Sequence, residues 1–536
     1  MSLRPASGTI GLMLREGNVD AWVVFVLTFG AGLSQALTIA LIGLGATEIA
    51  GEAIPWREAV VFVAMFKVML ILVGLAQLRG RQFAERVTNA AIFRIAERMP
   101  ASELDRLERL GGRALVAEMT VRATALGSAT HAAFGVVYCA GQIIGALGAL
   151  CFFAPFVALL VTAAGGACFL LQHRMRLTAD VWGGHADRLE SRFTASAREF
   201  VDGYRELQAG RARFVDLVEH YLLPAARAAA SARRPLARVS ALSLGAASGS
   251  WSVMAFAAAF VAPALGFDTG ITLAIFVTSL GFDAFLGIVT YVPVLRLGHD
   301  SVAWFERTGN ELADGQGSLT PGAPQTRGFT RIELRKVVYA YAVSDAQPLG
   351  PIDLTLTAGE IVLVTGGNGS GKSTLMKLLA GLYVPMGGDV MVDRTIWHPD
   401  DYRSLFSAVF TDFHVFDIQP TELLADPERI AGLIEVWGLK GKVTLDANGF
   451  SSTQLSTGQR KRLALIQALL EDRPILLLDE WTADQDPEFR AWFFDSLLPE
   501  LKARGRTVVA VTHDDRYFDR GDRVIRMADG QVVSSR

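Results

Sequence analysis

Residues Gly366 to Thr374 read GGNGSGKST, set between the apolar run Ile361 to Thr365 and the helix-forming stretch LMKLLAGL. Strand, glycine loop and helix in that order make a cradle for phosphate. Glycine lets successive backbone N–H groups converge on an anion, and the helix start adds its partial positive charge. Gly366, Gly367, Asn368, Gly369, Ser370, Gly371, Lys372, Ser373 and Thr374 are therefore expected to hold a nucleotide, with Lys372 as the mobile cation and Ser373 offering its hydroxyl to Mg²⁺. Further along, the apolar run ILLLD ends in Asp479 and is followed by Glu480. An acid at the end of a buried strand can hold Mg²⁺, and the next one can orient or deprotonate an attacking water. Tyr341, 25 residues before Gly366, ends a probable strand and offers a ring to stack on adenine, with Tyr339 as the competing choice.

The chain that positions these residues has two regimes. Of its 536 residues 51% are hydrophobic, and mean hydropathy is +0.32; the first 300 or so residues carry that excess. Six apolar runs are each long enough for a membrane-spanning helix, at Ala21 to Ala46, Ala59 to Leu78, Ala129 to Leu150, Phe152 to Leu171, Ala241 to Ala262 and Ile271 to Leu295. The connections Arg79 to Ser128 and Gln172 to Ser240 are dense in arginine, whereas the short connections on the other side carry little beyond Arg57. The positive-inside rule then puts both termini and both long connections in the cytoplasm. Those connections read as helices continuing out of the bilayer, with short crossing helices at Ser102 to Gly112 and Asp202 to Arg211.

Inside the spans, Gly141 to Gly145 and Gly245 to Gly249 have the spacing that allows close helix approach. Lys67 and Asp283 sit where an unpaired charge is costly, so each is expected to face the bundle interior or a partner, as cavity lining or as a structural pair. Gln35 and Gln142 are weaker versions of the same signal. Cys139, Cys151 and Cys168 all lie in apolar segments and read as small buried hydrophobes. The opening residues lack the pattern of a cleaved signal. A net charge of -3 offers no broad basic field for nucleic acid. The Gly/Pro-rich stretch Asp314 to Gly328 reads as a linker, dividing a membrane domain (1–313) from an α/β domain (329–536).

LSTGQ at Leu455 to Gln459, directly before RKRLALIQALL, resembles the signature of ATP-binding cassette proteins. That resemblance implies that Ser456, Gly458 and Gln459 bind the γ-phosphate held by an opposite subunit, and that His513 in VTHDD is the switch histidine. The strings FSAVFTDFHVF, FSSTQLSTGQRKRLAL, LLLDEWTADQDPEFR, THDDRYF and DGYRELQAGRAR look like the cyclic peptide export subfamily, which includes exporters of pyoverdine precursors, syringomycin-type lipopeptides and microcin-type peptides. Most cassettes have proline where Trp481 stands, and Asp486 takes the position of the D-loop aspartate. The resemblance implies an all-α six-helix transmembrane domain fused to an α/β P-loop nucleotide-binding domain, working as a homodimer in the bacterial inner membrane with the nucleotide domain in the cytoplasm. It also implies Glu480, His513 and Lys372 as catalytic residues, with ATP and Mg²⁺ as cofactors. Thr411 stands where most cassettes have a Mg²⁺-ligating glutamine and takes that place among the metal contacts with Ser373 and Asp479. No leader peptidase domain is expected, so cargo arrives matured.

The function that follows is ATP-driven export of a peptide or peptide-derived siderophore by alternating access. Import of such a cargo by an exporter-type fold, and a membrane-anchored ATPase acting as sensor or assembly factor, stay open as alternatives.

Overall fold

The computed structural model describes residues 18–48, 56–256, 271–313, 328–341, 348–397, 402–416, 426–445, 449–450 and 455–535, together with 11, 260–261, 264 and 424. The linker at 314–327 lies outside the described residues, as do parts of the fifth expected span and of the FSSTQ string. The chain forms two compact units, Met1–Arg94 with Ala117–Arg307, and Ile95–Val116 with Thr308–Arg536.

The first unit is helical. Its main helices are α1 (Asn18–Glu48), α2 (Trp56–Arg98, whose end enters the second unit), α4 (Gly112–Phe153), α5 (Pro155–Asp202), α6 (Tyr204–Ala209), α7 (Arg211–Leu217), α8 (Leu223–Phe256) and α9 (Ile271–Ala313); α3 (Leu104–Leu110) belongs to the second unit. Among the described residues, five segments are long and apolar enough to cross a membrane: Asp20–Ile42, Ala59–Ala101, Ala114–Phe153, Pro155–Asp202 and Gly281–Ala313. The other expected span falls on α8 and the partly described residues after it. At 48 residues α5 is ~70 Å long, more than twice the ~30 Å hydrocarbon core, so it continues well beyond any bilayer.

Small residues let α1 and α4 meet closely. A Cβ at Gly141 would overlap the Phe29 carbonyl, one at Gly32 the Tyr138 carbonyl, and one at Gly145 would lie 2.5 Å from Ala36 Cβ. Along the same seam Gln142 Nε2 donates to Gln35 Oε1 at 3.0 Å, and the Tyr138 hydroxyl donates to that oxygen too. The two glutamines thus satisfy each other between packed helices.

Of the expectations for the spans, the one overturned is a buried Cys151. Gly245 and Gly249 have open space within 4 Å of where a Cβ would stand, although α8 packs on α5 just before them, where Gln172 Nε2 donates to the Ser243 carbonyl at 2.6 Å. Lys67 and Asp283 are both exposed in the single chain, and no ion pair joins them among the described residues; Lys67 shares its face with exposed Val63, Phe66 and Leu70. Cys139 and Cys168 are buried, whereas Cys151 is exposed beside Phe152 and Phe153 on the outward side of a helix end. The break between the third and fourth spans falls at Ala154, after α4 has run on through Phe153, because Pro155 fits the first turn of the next helix.

The second unit has two sheets. In the first, β2 (Leu349–Thr357), β1 (Arg331–Tyr339), β4 (Gly387–Val392) and β5 (Thr395–Ile396) pair antiparallel. The second has the order β10-β9-β3-β8-β7-β6, built from β3 (Ile361–Gly366), β6 (Phe406–Val409), β7 (Ile475–Asp479), β8 (Thr507–Val511), β9 (Arg523–Ala528) and β10 (Gln531–Ser535). Strands β9, β3, β8, β7 and β6 run parallel, and β10 closes the edge antiparallel. Side chains alternate across this sheet. Val362, Val364, Leu477 and Val509 pack on one face with α10 (Lys372–Leu379) and the antiparallel strands, while Ile361, Leu363, Leu476 and Val508 pack on the other with α12 (Thr457–Leu470) and an aromatic group including Trp437, Trp481 and Phe493. Shorter helices α11 (Pro427–Val436), α13 (Pro487–Trp492) and α14 (Leu498–Ala503) complete the unit.

Candidate functional site

Because β3, β8, β7 and β6 are parallel neighbours, their carboxyl ends open onto one crevice, where α/β sheets bind ligands. The phosphate loop leaves β3, Asp479 ends β7, Thr411 follows β6, and His513 follows β8. Residues far apart in sequence are brought to one edge by strand order alone.

The loop needs its glycines for space as well as conformation. A Cβ at Gly366 would overlap the Met527 carbonyl, and Gly371 has φ +93 with Leu349 Cδ1 2.5 Å from where a Cβ would stand. Gly371 caps α10, so the helix begins at Lys372 and its free N–H groups point into the loop. Lys372 is 5% exposed, and its Nζ donates to the carbonyls of Gly366 at 3.0 Å and Gly367 at 2.9 Å. The ammonium is thereby held over the loop. The Ser370 hydroxyl is buried without a partner.

A cavity of about 380 Å³ opens here, lined by Asn368, Gly369, Gly371, Lys372, Ser373, Thr374 and Glu480, with Tyr339, Tyr341, Leu349, Asp529 and Gly530 on its far side. The two tyrosines differ. Tyr339 is buried and stacked on Tyr383, rings 4.7 Å apart and 7° from parallel. Tyr341 is half-buried, and its hydroxyl lies 3.0 Å from Thr374 Oγ1. Tyr341 is the less buried of the two rings and meets Tyr339 and Tyr383 in T-shaped contacts.

Ser373, Asp479 and Thr411 converge. Asp479 is 2% exposed, and its Oδ1 has no partner. Burial is the largest influence on its carboxyl and raises its pKa; hydrogen bonds from Ser373 and Thr411 and the charge of Lys372 pull the other way, while Glu480 adds to the rise. Thr411 Oγ1 also donates to the Asp479 carbonyl at 3.3 Å. An orphaned buried carboxylate oxygen beside two hydroxyls suits a hard cation. Among the described residues no group of three His, Cys, Asp or Glu side chains could hold a metal, so a cation here would share its shell with phosphate oxygens. Thr411, too short to reach as far as glutamine, is within reach of Asp479.

Glu480 follows in the left-handed conformation, with φ +51, and its Oε1 lies 3.0 Å from His513 Nε2. The carboxylate and imidazole can share a proton or align a water between the strand ends and the cavity.

Ser456, Gly458 and Gln459 stand elsewhere. They open α12 with a capping box: Ser456 Oγ accepts from Gln459 N at 3.3 Å, and Ser456 N donates to Gln459 Oε1 at 3.2 Å. Ser456 is exposed, and none of the three lines the cavity that holds Lys372. Sequence reasoning missed Lys461 one turn on, which is 2% exposed and bonded to the Glu480 carbonyl at 2.8 Å. A lone lysine between two arginines ahead of an apolar helix was its only signal. It also missed Asp529 and Gly530, which line the cavity from the turn after β9.

Helix α3, at the first expected tip, packs within this unit. Glu108 accepts from Lys377 Nζ at 2.8 Å and from the Tyr383 hydroxyl at 2.6 Å. Lys377 lies on α10, the helix that begins at the phosphate loop, so one carboxylate ties the tip to that helix. At the second tip, α6 forms a single short helix in the first unit.

Residues 349–483 match the family model described as ABC transporter. The chain is 48% identical over 218 residues to the ATP-binding protein SyrD of Pseudomonas syringae pv. syringae, covering 39% of this chain and 38% of that protein. It is 35% identical over 208 residues to the probable syringafactin export ATP-binding/permease protein SyfD of the same pathovar, covering 35% and 31%. It is also 31% identical over 220 residues to the macrolide export ATP-binding/permease protein MacB of Escherichia coli, covering 38% and 34%. The matches thus span about a third of the length of these relatives. In fold, the chain joins a helical domain with membrane-span helices to an α/β domain of the ABC ATPase kind.

Proposed function

We propose that this chain is one half of an ATP-driven exporter, which in the bacterial inner membrane pairs with a second copy and moves a peptide or peptide-derived siderophore outward by alternating access. The observation that carries the reading is the crevice joining the Lys372 loop, the Ser373–Asp479–Thr411 group and the Glu480–His513 pair, on a chain that also bears membrane-span helices. The names of two relatives, a probable syringafactin exporter and a macrolide exporter, support outward transport.

The geometry supports the following roles. Tyr341 stacks on the base. The N–H groups of the loop and Lys372 bind the β- and γ-phosphates. Ser373, Asp479 and Thr411 would hold Mg²⁺, which when bound would neutralise charge on the phosphate oxygens. Glu480, aligned by His513, takes a proton from water as the water oxygen bonds to the γ-phosphorus and the bond to the bridging oxygen of ADP breaks. Ser456, Gly458 and Gln459, outside the lining of their own chain's cavity and with Ser456 exposed, complete the site of a partner copy, where a helix start favours an anion. Two nucleotides then hold two copies together until hydrolysis removes the γ-phosphate contacts.

Inside-out vesicles carrying the protein should accumulate a radiolabelled cyclic lipopeptide on addition of ATP. Accumulation in right-side-out vesicles instead would indicate import, and ATPase activity with no movement of any peptide would favour a sensor or assembly ATPase.

A further inference from the structure

Lys461 is buried in α12, and its ammonium has two partners. Nζ donates to the Glu480 carbonyl at 2.8 Å and pairs with Asp484 Oδ2 at 2.7 Å. The first of these reaches a strained residue. Glu480 has φ +51 and ψ 32, a conformation that a residue with a Cβ keeps only where its surroundings hold it. Neighbouring contacts stitch the same two segments: Trp481 Nε1 donates to the Lys461 carbonyl at 2.7 Å, and Gln485 Nε2 to the Gly458 carbonyl at 3.2 Å. Gly458 itself lies so close to the Asp484 carbonyl that a Cβ would come within 2.6 Å of it.

We propose that Lys461 is a positioning residue for Glu480: its ammonium fixes the left-handed backbone from which the carboxylate reaches His513, and it does so from the helix whose first turn carries Ser456 and Gly458. The inference rests on the reading above in which Glu480 activates water. An ion pair serving stability alone would need only Asp484. The bond to the Glu480 carbonyl adds a direct hold on the geometry of the reacting group, so its loss should slow chemistry while nucleotide still binds.

The test uses full-length protein in lipid nanodiscs, with ATP turnover measured in Mg²⁺ and affinity measured with a fluorescent trinitrophenyl ATP. Lys461→Met should lower kcat by about tenfold or more and leave nucleotide affinity within about twofold of the starting protein. Should that variant not fold, Lys461→Met with Asp484→Leu removes both charges together, so that neither is left without its partner, and the same loss of kcat is expected. A folded double variant with kcat within about twofold of the starting protein, or with kcat and affinity lost in parallel, overturns the proposal. Glu480→Gln, measured alongside, separates the two levels. If it turns over normally, the reading of Glu480 fails; if it is inactive while the double variant is active, only the role of Lys461 fails.

Discussion

Replacing Asp479 by Asn should make the nucleotide-free protein more stable while abolishing its Mg²⁺-dependent turnover. Asp479 is 2% exposed, its Oδ1 has no partner, and burial holds its pKa above the ordinary 3.8. Between that value and the raised one, the folded state binds more protons than the unfolded state, so stability falls as pH rises through the window and the cost is complete above it. An amide carries no charge to desolvate and can still meet the hydroxyls of Ser373 and Thr411. A poorly satisfied buried polar group costs about 1–3 kcal/mol, which for a domain of this size amounts to a gain of roughly 2–12 °C in the midpoint of unfolding. The assay is thermal unfolding of full-length protein in nanodiscs with EDTA, at a fixed scan rate, from pH 4 to 8. The advantage of Asp479→Asn should be near zero at the acid end and grow with pH. A variant less stable than the starting protein at pH 7.5, or an advantage independent of pH, would refute this account of the carboxylate. Adding ATP with Mg²⁺ should reverse the order, raising the midpoint of the starting protein more than that of the variant.

Three further outcomes follow. Glu480→Gln should bind ATP and lose turnover by about a hundredfold or more, as read by filter binding and phosphate release; near-normal release would remove Glu480 from its role. In the contact between α3 and α10, a double-mutant cycle of Glu108→Gln and Lys377→Met should return a coupling of about 1–2 kcal/mol in unfolding free energy, since the charged hydrogen bond is only partly exposed, and each single change should weaken stimulation of ATPase by cargo. Lys67→Gln should leave folded yield unchanged, because Lys67 is exposed in the single chain, while altering cargo-stimulated ATPase. Loss of yield would point instead to a structural partner for that lysine.

What was legible in the sequence was local. The phosphate loop, the strand that ends in Asp479 and the cap at Ser456 each announce themselves within about ten residues, because backbone conformation and helix starts are decided by neighbours. Packing between distant segments was not. The partners Lys377 and Glu108 are separated by 269 positions, and nothing in either neighbourhood marks them. Lys461 looked like one charge in a basic run until the fold buried it under the turn after β7. The spacing at Gly141 and Gly245 was alike, yet of the two only Gly141 stands where a Cβ would overlap a neighbouring helix, since a spacing states what an approach would require and not how near a neighbour comes. Cys151 misled for a related reason: an apolar helix facing lipid reads the same as one facing a core.

The claim on which the rest turns is that each nucleotide is held by Lys372 of one copy and Ser456 of the other. Lys372→Ala and Ser456→Ala should each be inactive alone. Mixed in one membrane at equal amounts, random pairing gives half the dimers one intact composite site, about a quarter of all sites, so co-reconstitution should restore ATP turnover that neither variant has by itself. A mixture no more active than the average of its two components, with mixed pairs demonstrated by pull-down through different tags, would contradict the account.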